Sequence, residues 1–456
     1  MTTSSPRPVR IRLPGRRHLR TFTSLSSAGL GEAVLPTLSL IALVRVTGSE
    51  TSGHVIFAQS VSVLWFLLCD PCLENAAQRF VPLEQRRTGH GAALFLRLLR
   101  LDVVIGLAAT LLALLMVLGA WLLGHVSDGL ALTFALAVAG RGAMAPYATA
   151  WAGFALAGRL QTSGVLRVLG AVLSFGSSLA GLFIGGPLLY LAGQAGSALV
   201  MAAMFCLAAS RAVTRQLGPA AGRPRLPAGL LRFTLPTSIG TFVAGVSDSG
   251  ILTIAGLVGG PQLVTILKIT MAPGRFYANL AVPVAAMLYP RLTQAVALEA
   301  GSAVIMRDVV RTTALCAGGG AVTAVVALPL IGTVITIAYG PEYGPTGAVA
   351  MLLLGAACMK GTACWSNVLP LAMGKPGVRL AYLCAEAALL VGTLLVAGCT
   401  TSATVATALV FAWGTLGLAI LGTGFWIASL GRVIGPRSPG SHQDPIPSDR
   451  TITAAQ

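Results

Sequence analysis

YGPEYGPTGAVAMLLLGAACMKGTACWSNVLPLAMGK, residues 339–375, is the stretch that decides the fold. It opens with a Gly/Pro/Glu turn, continues through mostly apolar residues and ends at a Gly-Lys-Pro-Gly stop. Because roughly 20 apolar residues are enough to cross a bilayer, we predict a transmembrane helix here. Lys360 lies near its middle, where a charge cannot easily reach either surface and by default marks a substrate or ion pathway.

The rest of the chain repeats this composition. Hydrophobic residues make up 55% of the 456 residues and charged residues only 10%, which predicts an all-α polytopic membrane protein. Twelve apolar spans can be drawn, at approximately 24–44, 53–70, 101–123, 129–157, 164–185, 187–209, 233–257, 263–289, 312–337, 346–373, 380–399 and 404–429.

The net charge of +17 could suggest a nucleic-acid partner, but the basic residues are scattered between apolar spans instead of forming one basic face. With the N-terminus assigned to the cytoplasm, 26 of the 31 basic residues fall in inward segments and Arg45 alone falls in an outward loop. The positive-inside rule therefore predicts that both termini are cytoplasmic and excludes nucleic acid as the reason for the charge.

The segment 210–232 holds three prolines and five arginines and cannot cross a membrane. We predict that it is a cytoplasmic linker between two halves of six helices each. The predicted organisation is a basic cytoplasmic tail, a first lobe, the linker, a second lobe and a disordered cytoplasmic tail, at 1–21, 22–209, 210–232, 233–430 and 431–456.

The second half repeats features of the first. A shift of 219 residues places Lys360-Gly361 on Arg141-Gly142. Further along, Gly158-Arg159 matches Gly374-Lys375 once three residues are dropped. Internal duplication with a binding site between the halves is a common plan of transporters, so we predict one midplane cation in each half.

Several charged residues fall inside the spans. Arg141 lies between two glycines and is followed by Pro146, which predicts a kinked helix at the charge. The alternative is that Arg141 pairs with a carboxylate of a neighbouring helix only for assembly. Arg275 follows Pro273-Gly274, which predicts an interrupted helix at a binding site. Lys268 lies in the outer third of the same span.

Two carboxylates inside spans have open interpretations. Asp248 is either an ion-pair partner of Lys268 or Arg275, or a proton or sodium site. Glu32 is either a functional carboxylate that faces a cavity or a partner of a neighbouring arginine. A third carboxylate, Glu386, is expected to pair with a loop arginine.

The sequence contains no phosphate-binding G-x-x-x-x-G-K-[ST] loop and no H-E-x-x-H zinc motif. Its outward loops are too short for an extracytoplasmic catalytic loop. The eight cysteines are spread through apolar spans, and Cys69-Asp70-Pro71-Cys72 lacks the context of a redox or zinc motif. We therefore predict no enzyme activity, no cofactor and no metal.

Three stretches resemble the polysaccharide transporter (O-antigen-flippase-like) family of the multidrug/oligosaccharidyl-lipid/polysaccharide exporter superfamily. The first is Tyr339-Gly340-Pro341-Glu342-Tyr343 with the apolar run that closes on Met373-Gly374-Lys375, similar to the family's tenth-helix region. The second, Met287-Leu288-Tyr289-Pro290-Arg291-Leu292, resembles the end of helix eight. The third, Val44-Arg45-Val46-Thr47-Gly48 through Gly53-His54-Val55-Ile56-Phe57-Ala58, resembles the first hairpin.

The resemblance implies two six-helix lobes around a central cavity, which flip a lipid-linked oligosaccharide across a bacterial plasma membrane by alternating access. Such an anion needs cations at mid-depth, and we expect this role for Arg141, Arg275, Lys360 and Lys268, with Arg45 as an exit contact. Expected partners are membrane lipids and glycosyltransferases or a polymerase of the same pathway. The alternatives are a cation-coupled drug or metabolite exporter of the same superfamily, whose cavity should be rich in carboxylates, and a non-transporting membrane component of a glycan-assembly complex.

Overall fold

The computed structural model describes residues 16–219, 222, 226–227, 229–297, 302–373 and 376–434, together with most side chains from residue 31 onward. Every regular element within these ranges is helical. The described α-helices are α1 (Arg16–Cys69), α2 (Leu73–Thr88), α3 (Gly91–Leu122), α4 (Asp128–Ala143), α5 (Tyr147–Leu156), α6 (Leu160–Leu217), α7 (Leu230–Gly245), α8 (Ile251–Ala297), α9 (Ser302–Tyr339), α10 (Gly347–Thr362), α11 (Leu369–Ala372), α12 (Pro376–Thr400) and α13 (Thr404–Ile434).

Three stretches are too long for one crossing. At 1.5 Å per residue, the 54 residues of α1 would extend about 80 Å, whereas the hydrocarbon core is about 30 Å thick. The backbone leaves the helical conformation at Gly48 in α1, at Gly185 and Gly186 in α6 and at Gly260 in α8. Gly48, Gly186 and Gly260 have φ between 70° and 76°, which only glycine adopts readily. Each kink therefore marks a hairpin: α1 and α6 each contain both crossings, whereas the crossing before Gly260 consists of α7, the π-helical turn Val246–Gly250 and the first residues of α8.

These hairpins account for the twelve predicted crossings. Eight stretches of the described residues are long and apolar enough to span a membrane, and three of them contain the hairpins. One more crossing, from α10 to α11, is interrupted by a 3-10 turn at Cys364–Asn367. The prediction of an all-α bundle with about twelve transmembrane helices is confirmed. The tail at 435–456 lies outside the described residues, as does the start of the N-terminal tail.

The sequence predicts helix interruptions at Arg141 and at Arg275. The first is found in the structure, and the prediction of the second is wrong. The fourth crossing breaks between α4 and α5, directly after Arg141, as Pro146 predicts. In contrast, α8 continues through Pro273-Gly274 without a non-helical residue. Gly274 instead permits a close helix contact, because a Cβ there would lie 3.3 Å from the carbonyl oxygen of Leu353 on α10.

The internal repeat is visible in the helix bounds. The shift of 219 residues carries the first and last residues of α4 onto those of α10. A shift of 216 carries the start of α6, Leu160, onto the start of α12, Pro376. The three-residue difference falls between these helices, where α5 is replaced by a 3-10 turn and the short α11.

The two lobes meet along a seam formed by α1 on one side and α7 and α8 on the other. At the end of the bundle near Gly48, Thr265 donates a hydrogen bond to the Ser49 carbonyl at 2.7 Å, and its hydroxyl lies 3.2 Å from that of Ser52. A Cβ on Gly53 would lie 2.0 Å from the Pro261 carbonyl oxygen, so the two backbones touch.

The opposite end of the seam, near α2, is also packed. The Cys72 thiol donates to the Thr241 hydroxyl at 3.4 Å. The Arg79 guanidinium lies 4.6 Å from the centre of the Phe233 ring, at the start of α7. Contacts between described residues therefore join the lobes at both ends of the seam.

Candidate functional site

A cavity of about 300 Å³ lies at the middle of the bundle, and we call it the central cavity. Its cationic lining residues are Arg141 from the first lobe and Lys268 from the second. Ser249 of the second lobe and Gln59 and Gln194 of the first provide polar groups beside them. Both lobes therefore contribute to one polar, basic chamber.

A second cavity of about 270 Å³ adjoins it inside the first lobe. The two share Met144, Ser174, Gln194 and Ala198, so they lie side by side. Arg167 lines the second cavity. No carboxylate is found among the described residues that line either cavity.

Arg141 is held at the end of α4 by close packing of its neighbours. A Cβ on Gly140 would lie 3.2 Å from Ala195, and one on Gly142 would lie 2.0 Å from the Thr110 hydroxyl. The Arg141 side chain is accessible because it opens into the central cavity. Within the part of the chain that the structure describes, it makes no ion pair within 4 Å, and Asp70 acts on it only from a greater distance.

Lys268 projects from α8 toward the same cavity. Its neighbours Leu267 and Ile269 are buried in the seam, whereas Lys268 itself is only partly buried. It lies close enough to Arg275 and Asp248 to interact electrostatically with both, but it forms no ion pair within 4 Å among the described residues. Arg141 and Lys268 are thus two cations from opposite lobes that share a cavity.

Arg275 has an acidic partner. Its Nη2 atom donates to Asp248 Oδ1 at 2.6 Å. Of the two interpretations of Asp248, the structure places it in an ion pair with Arg275. Asp248 lies in a π-helical turn, Val246–Gly250, that joins α7 to α8.

Lys360 is also paired. Its Nζ atom lies 2.5 Å from Glu386 Oε1 on α12, and it lines neither of the two cavities. The prediction that Glu386 pairs with a loop arginine is therefore wrong. The reason is tertiary, because α10 and α12 both pack against α8 and α13, and this arrangement brings Glu386 to a lysine 26 positions earlier in the chain.

Arg45 is used for contact between the lobes. Its Nε atom donates to the Ala338 carbonyl at 2.9 Å, and its Nη2 atom donates to the Ile337 carbonyl. These carbonyls belong to the last turn of α9. A cation there provides hydrogen bonds to carbonyl groups that have no partner within the helix, and it interacts favourably with the negative end of the helix dipole. The side chain of Glu32 lies outside the described residues.

The repeat explains why the cations of the two lobes differ. The 216-residue shift that aligns the starts of α6 and α12 places Gly170 at the position of Glu386. In the second lobe Lys360 has a carboxylate partner, whereas in the first lobe Arg141 has a glycine at the corresponding place. Gly170 lines the cavity inside the first lobe.

The sequence analysis missed the uncharged polar residues of the central cavity. Gln59 donates to Gln194 at 2.7 Å across the first lobe, and Ser249 adds a hydroxyl beside Lys268. Two glutamines inside otherwise apolar spans were the available signal, because amides in hydrocarbon need partners or water.

No family model and no curated protein matches this sequence. The structure is similar to a MOP superfamily transporter from Pyrococcus furiosus, with a TM-score of 0.66, 13% identity and coverage of 91% of this chain and 96% of that chain. That protein is described as having a binding pocket of reverse polarity that suggests a different function.

Two further similar structures show a multidrug resistance MATE family transporter of the MOP superfamily in different conformations. The outward-facing structure gives a TM-score of 0.64 at 13% identity, covering 91% of this chain and 96% of that chain. The inward-facing structure gives a TM-score of 0.58 at 14% identity and covers 93% of this chain and 97% of that chain. The chain therefore has the two-lobed MATE-like fold.

Proposed function

We propose that this protein is an alternating-access transporter that flips an anionic lipid-linked oligosaccharide, carried on a polyprenyl diphosphate, across a bacterial plasma membrane. It carries out no covalent chemistry. The substrate's phosphates bind Arg141 and Lys268 in the central cavity while the lipid tail stays in the bilayer. Orientation with both termini in the cytoplasm follows from the distribution of arginines.

The observation that carries this proposal is the sign and the pairing of the cavity's charges. A charge enclosed away from bulk water costs several kcal/mol unless a partner compensates it. Among the described residues Arg141 and Lys268 form no ion pair within 4 Å, and the carboxylates that act on them, Asp70 and Asp248, are more distant, whereas Arg275 and Lys360 are directly paired. An anionic ligand supplies the missing charge, and arginine suits phosphate because its planar fork can donate two parallel hydrogen bonds.

The two-lobed fold supports alternating access, because similar structures are described as inward-facing and outward-facing conformations of one class of transporter. The main alternative is a drug exporter, as the same descriptions include multidrug resistance. An exporter of cationic drugs requires carboxylates in its cavity, whereas the described lining here is basic. The reverse polarity described for the Pyrococcus furiosus protein is a precedent for such a change of sign within this fold.

The test is flipping of a fluorescent lipid-linked oligosaccharide by the purified protein in proteoliposomes. Arg141→Gln and Lys268→Gln should each lower the initial rate about tenfold or more, since a hydrogen bond to a charged group contributes about 1.5–3 kcal/mol. The matched control is the double variant Lys360→Met/Glu386→Gln, which removes a midplane ion pair outside the cavities and should retain most of the rate.

Rates that are unchanged in both cavity variants, with monodisperse and thermally stable protein, would refute the substrate site. Efflux of ethidium by the wild type, with no flipping of the anionic lipid, would instead establish the drug exporter.

A further inference from the structure

The ion pair between Asp248 and Arg275 lies in the wall of the second lobe next to the central cavity. Ser249, the next residue after Asp248, lines that cavity. Arg275 follows Lys268 by seven residues on α8, so both project from one face about 10 Å apart along the helix axis. Lys268 interacts electrostatically with both members of the pair.

The pair is not a sealed structural contact. The Arg275 side chain is 33% exposed and that of Asp248 is 58% exposed. Partly exposed ion pairs contribute little to stability, so a competing anion can replace one partner at low cost.

Arg275 is also incompletely bonded. One amino group donates to Asp248, but its Nε–H is buried and has no partner among the described residues. Unpaired buried donors are uncommon and call for an explanation such as a ligand or an ion. A second oxyanion beside Arg275 would compete with Asp248 for the amino groups of the guanidinium, and the Nε–H would become available to it only if the side chain turned.

The backbone at Asp248 suits a group that changes partners. Asp248 occupies the middle of the π-helical turn Val246–Gly250, between two regular helices. Single π-turns inside helices occur often at functional sites. The turn aligns the Asp248 carboxylate with Arg275 on the opposite arm of the hairpin.

The charges around the cavity favour a ligand with more than one negative charge. Among the described residues, Arg141, Lys268 and Arg275 are cations and Asp248 is an anion, which leaves two positive charges, and Arg167 in the adjoining cavity is a further cation. A diphosphate diester carries one negative charge on each phosphate, whereas a monophosphate diester carries one in total. The first class neutralises more of this positive charge than the second.

We propose that Arg275 forms a second anion subsite, which recognises the second phosphate of a diphosphate diester, and that Asp248 is its exchangeable resident counter-anion. This inference rests on the proposed function and assigns residues to the recognition of its second phosphate. The incoming phosphate displaces Asp248 from Arg275 when the ligand binds. When the ligand leaves, Asp248 returns to Arg275 and thereby favours release.

The experiment measures binding of two synthetic probes to the protein in nanodiscs, farnesyl methyl diphosphate and farnesyl methyl phosphate. Inorganic pyrophosphate is the third probe and separates recognition of the headgroup from recognition of the lipid. Asp248→Asn should tighten binding of the diphosphate about fivefold, the equivalent of a partly exposed ion pair. The affinity for the monophosphate should change less than about twofold. Flipping at saturating substrate should become slower, because the substrate is released more slowly.

Arg275→Gln should lower the affinity for farnesyl methyl diphosphate to near that for farnesyl methyl phosphate. Arg275→Lys should restore part of the difference between the two affinities. In the Arg275→Gln background, Asp248→Asn should have no further effect on the diphosphate, as in a double-mutant cycle of two interacting residues. Glu386→Gln is the matched control, because it breaks a midplane ion pair of similar length outside the cavities. It should leave the ratio of the two affinities unchanged.

Equal effects of Asp248→Asn on both lipid probes would overturn the inference, because the residue would then act only through net charge. Binding that depends on Arg141 but is insensitive to Arg275 would overturn the second subsite and leave the proposed function standing. Failure of the wild type to bind any of the three probes would refute the proposed function itself.

Discussion

The difference between the two lobes can be tested by giving the first lobe the carboxylate that the second lobe has. Gly170 corresponds to Glu386, so Gly170→Glu should place a carboxylate beside Arg141 as Glu386 lies beside Lys360. The prediction is that this single substitution neutralises Arg141 and weakens binding of the anionic substrate.

The magnitude follows from the pair in the second lobe. Lys360 and Glu386 lie 2.5 Å apart with 39% and 15% of their side chains exposed. Two unit charges at 4 Å interact by about 4 kcal/mol at an effective dielectric constant of 20, and fully exposed pairs contribute about 0–1 kcal/mol. For this partly exposed pair we assume an interaction energy of about 2 kcal/mol. The same energy between the introduced carboxylate and Arg141 would have to be overcome by the anion, which corresponds to a loss of roughly 30-fold in its affinity.

The assay is binding of farnesyl methyl diphosphate to Gly170→Glu, with Gly170→Gln as the matched control. Any Cβ at this position lies 2.4 Å from the Met201 methyl group, so Met201 must move in both variants. Because that steric cost is common to both, the ratio of their affinities isolates the charge. Equal affinities of the two variants would refute the assignment of Arg141 as an uncompensated cation of the substrate site.

Two further predictions concern the end of the seam near Gly48. The double variant Ser52→Cys/Thr265→Cys, at hydroxyl groups 3.2 Å apart, should crosslink with copper phenanthroline and stop flipping until a reductant is added; full activity of the crosslinked protein would contradict opening at this end. Gly53→Ala places a Cβ 2.0 Å from the Pro261 carbonyl and should lower both the melting temperature and the flipping rate. Gly176→Ala is its control, since nothing lies within 4 Å of that position, and equal melting temperatures of the two variants would disprove the backbone contact.

Much of the fold could be predicted because membrane solvation acts on each segment separately. Apolar length alone identifies the crossings, and the repeat offset in the sequence reproduces the bounds of α4 and α10. Proline and glycine were less decisive, because their effect depends on what packs against them. Pro146 does accompany a break between α4 and α5. In contrast, Pro273-Gly274 lies in a continuous helix, where the missing side chain of Gly274 allows α10 to pack closely.

The site could be predicted only in part, because depth in the membrane does not reveal pairing. By depth alone, Arg141, Arg275 and Lys360 are equivalent candidates, since each lies near the middle of a span. The partners that distinguish them, Asp248 and Glu386, are brought close only by the packing of neighbouring helices. The π-turn at Asp248 has no sequence signature that the apolar pattern could reveal.

The unpaired cations also give a physical reason for movement to depend on substrate. Contacts at both ends of the seam join the lobes on either side of the central cavity, and complete closure of that cavity would remove water from Arg141 and Lys268. Enclosing two uncompensated cations costs several kcal/mol for each ion, whereas enclosing them around a dianion does not. Under the proposed function, the empty protein is therefore held back from passing through the closed state, and the loaded protein is not. The proposal thus derives both the preference for an anionic ligand and the coupling of its binding to the rearrangement of the lobes from the sign of the cavity.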